Sequence, residues 1–201
     1  NNINDIYYLP LISNISDFLF DPTYSNKIIE TSGFFSFPIL NFVIISIFYK
    51  IFGSFGFILL EIVCSFLFLY IFFRILIILR FNEINSFLIS LFLFTLPIIL
   101  YNFSNLNIGF IENIYINFST FYSLRFPRPI LTNLFLFYFL YLCLVIFIEE
   151  KNTKKNYLLA GLISGISLHL FYYFFIFQNI LFLILHLIKF KKNFFKSIIT
   201  N

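Results

Sequence analysis

Long apolar runs separated by short polar segments dominate the sequence. Three runs predict membrane-spanning helices, and they cover residues 55–79, 86–101 and 130–148. A helix crosses the hydrocarbon core of a bilayer, roughly 30 Å thick, with about 20 mainly apolar residues. Pro97 predicts a kink near the far end of the second helix. The pattern therefore predicts an all-α fold, a polytopic transmembrane helical bundle that forms a single membrane domain over residues 1–201.

A fourth apolar stretch, residues 157–188, is too long for one untilted crossing. Polar side chains interrupt it between His169 and Gln178. The interruption predicts either a tight hairpin of two short membrane helices or one long bent helix, and the sequence leaves both open.

Residues 1–35 and 102–129 mix polar side chains with Tyr and Phe and contain no run long enough to span, so they predict loops at a membrane surface. Residues 38–52 form a short apolar helix that Asn41 interrupts. This helix either crosses the membrane or lies flat at its surface as a juxtamembrane helix. Its shortness and the mid-helix Asn41 favour the surface-lying position, which puts residues 1–35 outside.

The composition narrows the class of protein. Of the 201 residues, 61% are hydrophobic and 11% are charged, whereas soluble domains carry about a quarter charged residues. This excludes a soluble enzyme, a nucleic-acid-binding protein and a disordered tail. We expect an integral membrane protein of the bacterial inner (plasma) membrane, in contact with membrane lipids and with no nucleic-acid partner. The sequence contains no Met, which predicts a fragment that lacks N-terminal and C-terminal parts.

The basic residues predict an orientation, because short loops rich in Lys and Arg stay in the cytoplasm. With the charged loop at 149–156 inside, residues 102–129 fall outside and the turn after Arg74 falls inside. The basic residues that this arrangement places inside are nine of the thirteen: Arg74, Arg80, Lys151, Lys154, Lys155, Lys189, Lys191, Lys192 and Lys196.

Several features in order carry a resemblance to a known family. The chain reads NDIYYLP at residues 4–10, FP at 37–38 and FYKIFG at 48–53, followed by a spanning helix that ends in Arg; YLLAGLISG stands at 157–165. This order resembles the first extracytoplasmic loop and following helices of the GT-C superfamily. These polytopic glycosyltransferases use polyprenyl-phosphate sugars, as the protein O-mannosyltransferases and lipid A aminoarabinose transferases do. The resemblance implies that the Pro-led helix lies on the outer surface and that a first spanning helix precedes Asn1.

The resemblance also implies a role for Asp5. In GT-C enzymes an acidic residue near the start of the first outer loop acts as general base or positions the acceptor, and a carboxylate within hydrogen-bond reach of a hydroxyl group is able to take its proton. The family often shows paired acids, whereas Asn4 precedes Asp5 here.

Arg125 and Arg128 are the second candidate site. They are assigned outside against the charge rule, at the end of a loop stiffened by Pro127 and Pro129. A guanidinium binds phosphate with two hydrogen bonds and keeps its charge where water is scarce. We hypothesise that they hold the phosphate of a lipid-linked sugar donor; contact with ordinary lipid headgroups is the alternative.

Two further acidic residues are candidates for lining the cleft. Glu61 lies inside the predicted helix 55–79, where a carboxylate is costly unless it faces the bundle interior or a watery cavity. Glu112 lies in the outer loop and is a possible second acid. Neither has a spacing that marks its role, and a purely structural role for Glu61 remains open.

The sequence gives no sign of a cofactor or metal site. His169 and His186 are not at metal-ligand spacing with each other or with an acid. Cys64 and Cys143 lie in apolar runs and predict small buried hydrophobic residues. Metal dependence stays open.

Together these features predict a membrane glycosyltransferase that moves a sugar from a polyprenyl-phosphate donor to an acceptor on the outer membrane face. The alternatives are a transporter or flippase-like protein for lipid-linked substrates, which does no chemistry, and an O-antigen-polymerase-like enzyme. Transporters build sites from charges at mid-membrane depth, whereas here the candidate charges concentrate in two outer loops.

Overall fold

The computed structural model describes residues 9–17, 39–104, 129–151 and 153–200, and every regular element in these ranges is an α-helix. In chain order the helices are α1 (Leu9–Ser16), α2 (Ile39–Phe52), α3 (Phe55–Ile78), α4 (Glu83–Ser104), α5 (Pro129–Phe147), α6 (Lys154–Leu170) and α7 (Tyr172–Thr200). The prediction of an all-α fold is confirmed for this part of the chain.

Three stretches are long and apolar enough to cross a membrane, namely Phe55–Ile78, Ile130–Phe147 and Tyr172–Lys189. They point to a membrane protein. The run predicted at 86–101 lies within a longer helix, α4, of 22 residues. Helix α2 is an apolar helix of 14 residues, shorter than a full span.

Helices α2 and α3 form a hairpin around the two-residue turn Gly53-Ser54. Gly53 has a φ of +59°, a left-handed conformation that suits glycine. Gly56 faces the backbone carbonyl of Phe48 so closely that a Cβ there would collide with it. The rings of Tyr49 and Phe57 pack beside this contact with centroids 5.6 Å apart.

Helices α3 and α5 pack side by side and run in the same direction. Phe137 of α5 contacts Phe68 and Phe72 of α3, with ring centroids 5.1 and 4.8 Å apart. Further along both helices, Arg74 reaches Tyr141. Because the partners advance together along the two helices, the C-terminal ends of α3 and α5 lie at the same end of the assembly.

The stretch 157–188 is a hairpin of two helices and not one bent helix. Phe171 alone separates α6 from α7, with an extended backbone at φ −161° and ψ 106°. The Asn179 side chain donates to the Ser164 hydroxyl (2.9 Å), and the rings of Tyr157 and His186 lie 5.6 Å apart further along. These pairs show that α7 runs back antiparallel to α6.

The hairpin returns the chain to the end where α3 and α5 finish. The ammonium group of Lys189 lies 3.5 Å from the Ile146 carbonyl oxygen and 5.6 Å from the centroid of the Phe147 ring. Lys151 lies in the short connection between α5 and α6. This connection ends at Thr153, whose side chain caps the start of α6. One end of the assembly therefore collects basic residues.

Helix α1 falls within a segment expected to be a surface loop. It is one short helix of eight residues, and Ile12 and Ile15 are buried against the rest of the protein. Its last turn holds a hydrogen bond from the Ser16 hydroxyl to the Ser13 carbonyl (2.6 Å). The predicted outer loop 1–35 therefore contains one short helix, which packs its apolar side chains against α2.

Candidate functional site

Most of the candidate residues lie outside the described part of the chain. Asp5, Glu112, Arg125 and Arg128 belong to segments that the structure does not describe, so their roles stay predictions. Glu61 is described: it lies in the N-terminal half of α3, next to the buried Leu60, and is itself partly buried.

The polar side chains of α2 turn into the protein. The Asn41 amide donates to the Thr132 hydroxyl of α5 (3.0 Å), and the Ser46 hydroxyl donates to the Ile12 carbonyl of α1 (3.1 Å). The Lys50 ammonium donates to the carbonyl of Ser16, the last residue of α1 (2.7 Å). Helix α2 therefore ties α1 to the beginning of α5.

This junction has a buried apolar centre. Ile12 of α1, Phe42 of α2 and Ile130 of α5 belong to one cluster and are 1 to 3% exposed. The cluster gathers the start of α1, which follows the segment of Asp5, and the start of α5, which follows directly after Arg128.

Asn41 does not face water, as a surface-lying α2 would lead one to expect. Asn41 favours a surface-lying helix only if its side chain faces water, yet Asn41 is fully buried and bonded to α5. The exposed residues of α2 are Ile47, Lys50, Ile51 and Phe52, three of them apolar. The polar residues of α2 therefore explain its packing and do not indicate its position in the membrane.

A cleft of about 300 Å³ opens between the C-terminal half of α3 and the middle of α5. Apolar and aromatic side chains line it, together with one charged residue, Arg74, and the residues are Leu67, Tyr70, Ile71, Arg74, Leu134, Phe135, Tyr138, Tyr141 and Ile163. The volume lies at the lower end of the range for ligand pockets.

Arg74 is held in this cleft by Tyr141. Its Nη2 lies 3.4 Å from the Tyr141 hydroxyl oxygen, and its guanidinium carbon lies 5.9 Å from the centroid of the Tyr141 ring. Tyr138 stacks on Tyr141 with centroids 6.0 Å apart. The Nε of Arg74 is buried and finds no hydrogen-bond partner within the described ranges.

Sequence reasoning missed this cleft because it used Arg74 only as a marker of topology. A signal was present, since an arginine inside an otherwise apolar spanning run marks a functional site by default. Tyr70 precedes Arg74 by four residues and therefore lies on the same helix face. What the sequence could not supply is the partner, Tyr141, which is 67 residues away.

A second group of buried polar residues lies between α6 and α7. Ser164 and Ser167 are buried on α6, and Gln178 is fully buried on α7. Both amide atoms of Gln178 lack a hydrogen-bond partner among the described residues, whereas the Asn179 amide donates to Ser164 and to the Phe175 carbonyl (2.7 Å).

The two histidines have surroundings that fit structural roles. His186 Nδ1 lies 3.2 Å from the Phe182 carbonyl, and its ring packs on Phe147 with centroids 5.0 Å apart. His169 is exposed near the end of α6. Cys64 and Cys143 are buried, as predicted. The described residues contain no group of three or more His, Cys, Asp or Glu able to hold a metal ion.

Comparisons of the chain with protein-family models, with curated proteins and with solved structures found no match.

Proposed function

We propose that this chain is part of a polytopic membrane glycosyltransferase of the bacterial inner membrane. It would move a sugar from a polyprenyl-phosphate donor to an acceptor on the outer membrane face. The proposal joins the resemblance to GT-C enzymes with one structural observation, the tie that α2 makes between α1 and the start of α5.

That tie bears on whether Asp5 and Arg128 are able to share a site. Asp5 stands four residues before Leu9, the first residue of α1, and Arg128 is bonded to Pro129, the first residue of α5. Four residues span at most about 14 Å. Because both helices are held to α2 by the hydrogen bonds of Asn41 and Ser46, chain length permits the carboxylate and the guanidinium to approach one substrate.

The length of α2 supports the same arrangement. Its 14 residues measure about 21 Å, which is less than the roughly 30 Å core of a bilayer. A helix of this length is typical of surface-lying or re-entrant segments, and either position keeps residues 1–35 on the side where Gly53 lies. The basic end of the assembly then faces the cytoplasm, and the α2–α3 turn faces outward.

The proposed reaction is a direct displacement at the sugar. An acceptor hydroxyl oxygen forms a bond to the anomeric carbon while the bond from that carbon to the donor phosphate oxygen breaks. The hydroxyl proton passes to the Asp5 carboxylate, and the phosphate leaves with the bond electrons. Arg125 and Arg128 would neutralise the departing phosphate, Glu61 and Glu112 would line the cleft, and the polyprenyl chain would lie between apolar helices.

Variants of the three charged residues test the proposal. Membranes containing the protein would be given a panel of polyprenyl-phosphate sugars with tritiated hexose or pentose, and transfer to endogenous acceptors would be measured. Asp5→Asn is expected to lower the rate by about 10²- to 10⁴-fold, the usual contribution of a general base. Arg125→Gln and Arg128→Gln are expected to lower it as well.

Arg80→Gln is the matched control, because Arg80 is exposed at the opposite, basic end. It should leave the transfer rate unchanged. Full transfer by the Asp5→Asn variant, or by a variant with both loop arginines replaced, would contradict the proposed site.

A carrier of lipid-linked substrates is the second candidate, and the buried polar side chains favour it. Gln178 and Asn41 are fully buried in apolar helices, and transporters build substrate sites from polar groups within the membrane. Reconstituted vesicles distinguish the two: a carrier moves a fluorescent polyprenyl-phosphate sugar across the bilayer with its sugar bond intact, whereas the proposed enzyme cleaves that bond.

A further inference from the structure

We propose that the cleft beside Arg74 binds one anionic phospholipid from the membrane leaflet at the basic end of the assembly. The lipid phosphate would lie at Arg74, and an acyl chain would lie along the apolar walls between α3 and α5. This site is separate from the proposed glycosyltransferase site and does not depend on it.

The walls of the cleft suit an acyl chain. Leu67, Ile71, Leu134, Phe135 and Ile163 supply apolar side chains along it. Leu67 is 45% exposed, so the cleft opens on the exposed face of α3. Because α3 and α5 are both apolar enough to span a membrane, lipid tails are the molecules that surround this opening.

The cleft walls expose only apolar surface, and the group that suits a phosphate is the Arg74 guanidinium beside them. The Arg74 guanidinium makes one long hydrogen bond, 3.4 Å, to the Tyr141 hydroxyl, and its buried Nε has no partner within the described ranges. Glu149 acts on Arg74 only through longer-range attraction and is itself paired with Lys151 at 2.9 Å. The cation therefore has unused donors and no carboxylate in contact among the described residues, which leaves an anion as its natural complement.

The depth of Arg74 agrees with a headgroup contact. Arg74 stands four residues before Ile78, the last residue of α3, or about 6 Å from the helix end. A long basic side chain at this depth reaches the interface while its stem stays among apolar groups. Lys154 and Lys155, exposed at the start of α6, and Lys189 lie at the same end and add positive potential, which favours anionic over zwitterionic lipids.

Native mass spectrometry of the purified full chain tests the proposal. The protein in detergent micelles would be mixed with phosphatidylglycerol or with phosphatidylcholine of the same acyl chains, and retained lipid adducts would be counted. The wild-type protein is expected to retain phosphatidylglycerol in preference. Arg74→Gln should weaken that preference about fivefold, the effect of one basic residue near an anionic surface.

Arg80→Gln is the matched control, since it removes the same charge from an exposed position outside the cleft. An equal loss in Arg80→Gln would show attraction by net charge alone and would overturn the site. So would an unchanged preference in Arg74→Gln. Displacement of the lipid by millimolar inorganic phosphate would also overturn it, because the site would then bind a free anion and not a lipid.

A second variant keeps the test decisive if Arg74→Gln does not fold. Leu67→Trp leaves the charge in place and fills the exposed side of the cleft with an indole ring. We expect it to release phosphatidylglycerol while circular dichroism shows unchanged helix content. Retention of the lipid by this folded variant would contradict the placement of the acyl chain.

Discussion

Two buried amide side chains have contrasting surroundings. The Asn41 amide nitrogen donates to Thr132 across the gap between α2 and α5, while its Oδ1 has no partner among the described residues. Gln178 is buried with neither amide atom bonded to a described residue. In a membrane a satisfied polar contact adds modest stability, and an unsatisfied one carries the cost of its lost hydration. The two residues therefore predict opposite effects on mutation.

The hydrogen bond between Asn41 and Thr132 should appear as a coupling energy. In a double-mutant cycle with Asn41→Ala and Thr132→Ala, we expect the two substitutions to interact by about 0.6 to 1.7 kcal/mol, the range for interhelical hydrogen bonds in membranes. The measurement is the free energy of unfolding in mixed micelles during an SDS titration. Strictly additive effects would show that the contact contributes nothing.

Replacement of Gln178 by leucine should stabilise the protein. Leucine has a similar size and no polar atoms to bury, so Gln178→Leu is expected to raise the free energy of unfolding by about 1 to 3 kcal/mol. Asn179→Leu is the control at the next position. It removes the hydrogen bond to Ser164 and should lower stability by about 1 kcal/mol. A loss of stability in Gln178→Leu would mean that its amide has a partner in the folded protein.

At the scale of helices, the sequence predicted the helices that have a strong apolar pattern. The predicted helices 38–52, 55–79 and 130–148 match α2, α3 and α5 within one or two residues, because apolar runs bounded by Gly, Pro and charges define their own ends. Helix α4 begins at Glu83, three residues before the expected start. The Asn82 side chain caps it by accepting from the Asn85 amide (2.7 Å), a signal that the sequence did contain.

The local sequence pattern could not predict helix α1. Eight residues do not form a stable helix alone, and α1 depends on the Ser46 and Lys50 side chains of α2, which bind its carbonyls from 34 residues away. The same limit hid the cleft, since Arg74 and Tyr141 meet only in the folded protein. The predicted loop residues of the candidate site stay predictions, as the described ranges do not include them.

The α2–α3 hairpin should depend on the missing side chain at Gly56. Gly56→Ala would place a methyl group against the Phe48 carbonyl and force the helices apart, so we expect a loss of about 1 to 3 kcal/mol in the free energy of unfolding. Gly161→Ala has open space at its Cβ and should leave stability unchanged or raise it by up to about 1 kcal/mol. Equal effects of the two substitutions would argue against close packing in the hairpin.

At the scale of the whole molecule, the orientation across the membrane decides whether the proposed enzyme has a site. Helices α3, α5 and α7 finish at the basic end, and the α2–α3 turn lies at the other. Residues 1–35 and 102–129 must share that second side for Asp5 to meet Arg125 and Arg128.

Cysteine labelling in intact cells should show this arrangement. With a membrane-impermeant maleimide, we expect Ser25→Cys to react at once and Glu150→Cys to react only after the membrane is permeabilised. The unmodified protein is the control, because Cys64 and Cys143 are 2 and 3% exposed and should not react. Labelling of Ser25→Cys only after permeabilisation would make α2 a crossing helix and separate the acid from the arginines.

The one-residue link at Phe171 has a consequence for how this chain tolerates insertions and deletions. Each residue added to the first turn of α7 would rotate that helix by about 100° about its axis. Such a rotation would carry Asn179 away from Ser164 and Lys189 away from Ile146 at the same time. The link should therefore accept many side chains in place of Phe171. It should not accept a change in its length, because the length of the link sets the rotation of α7 at both of these contacts.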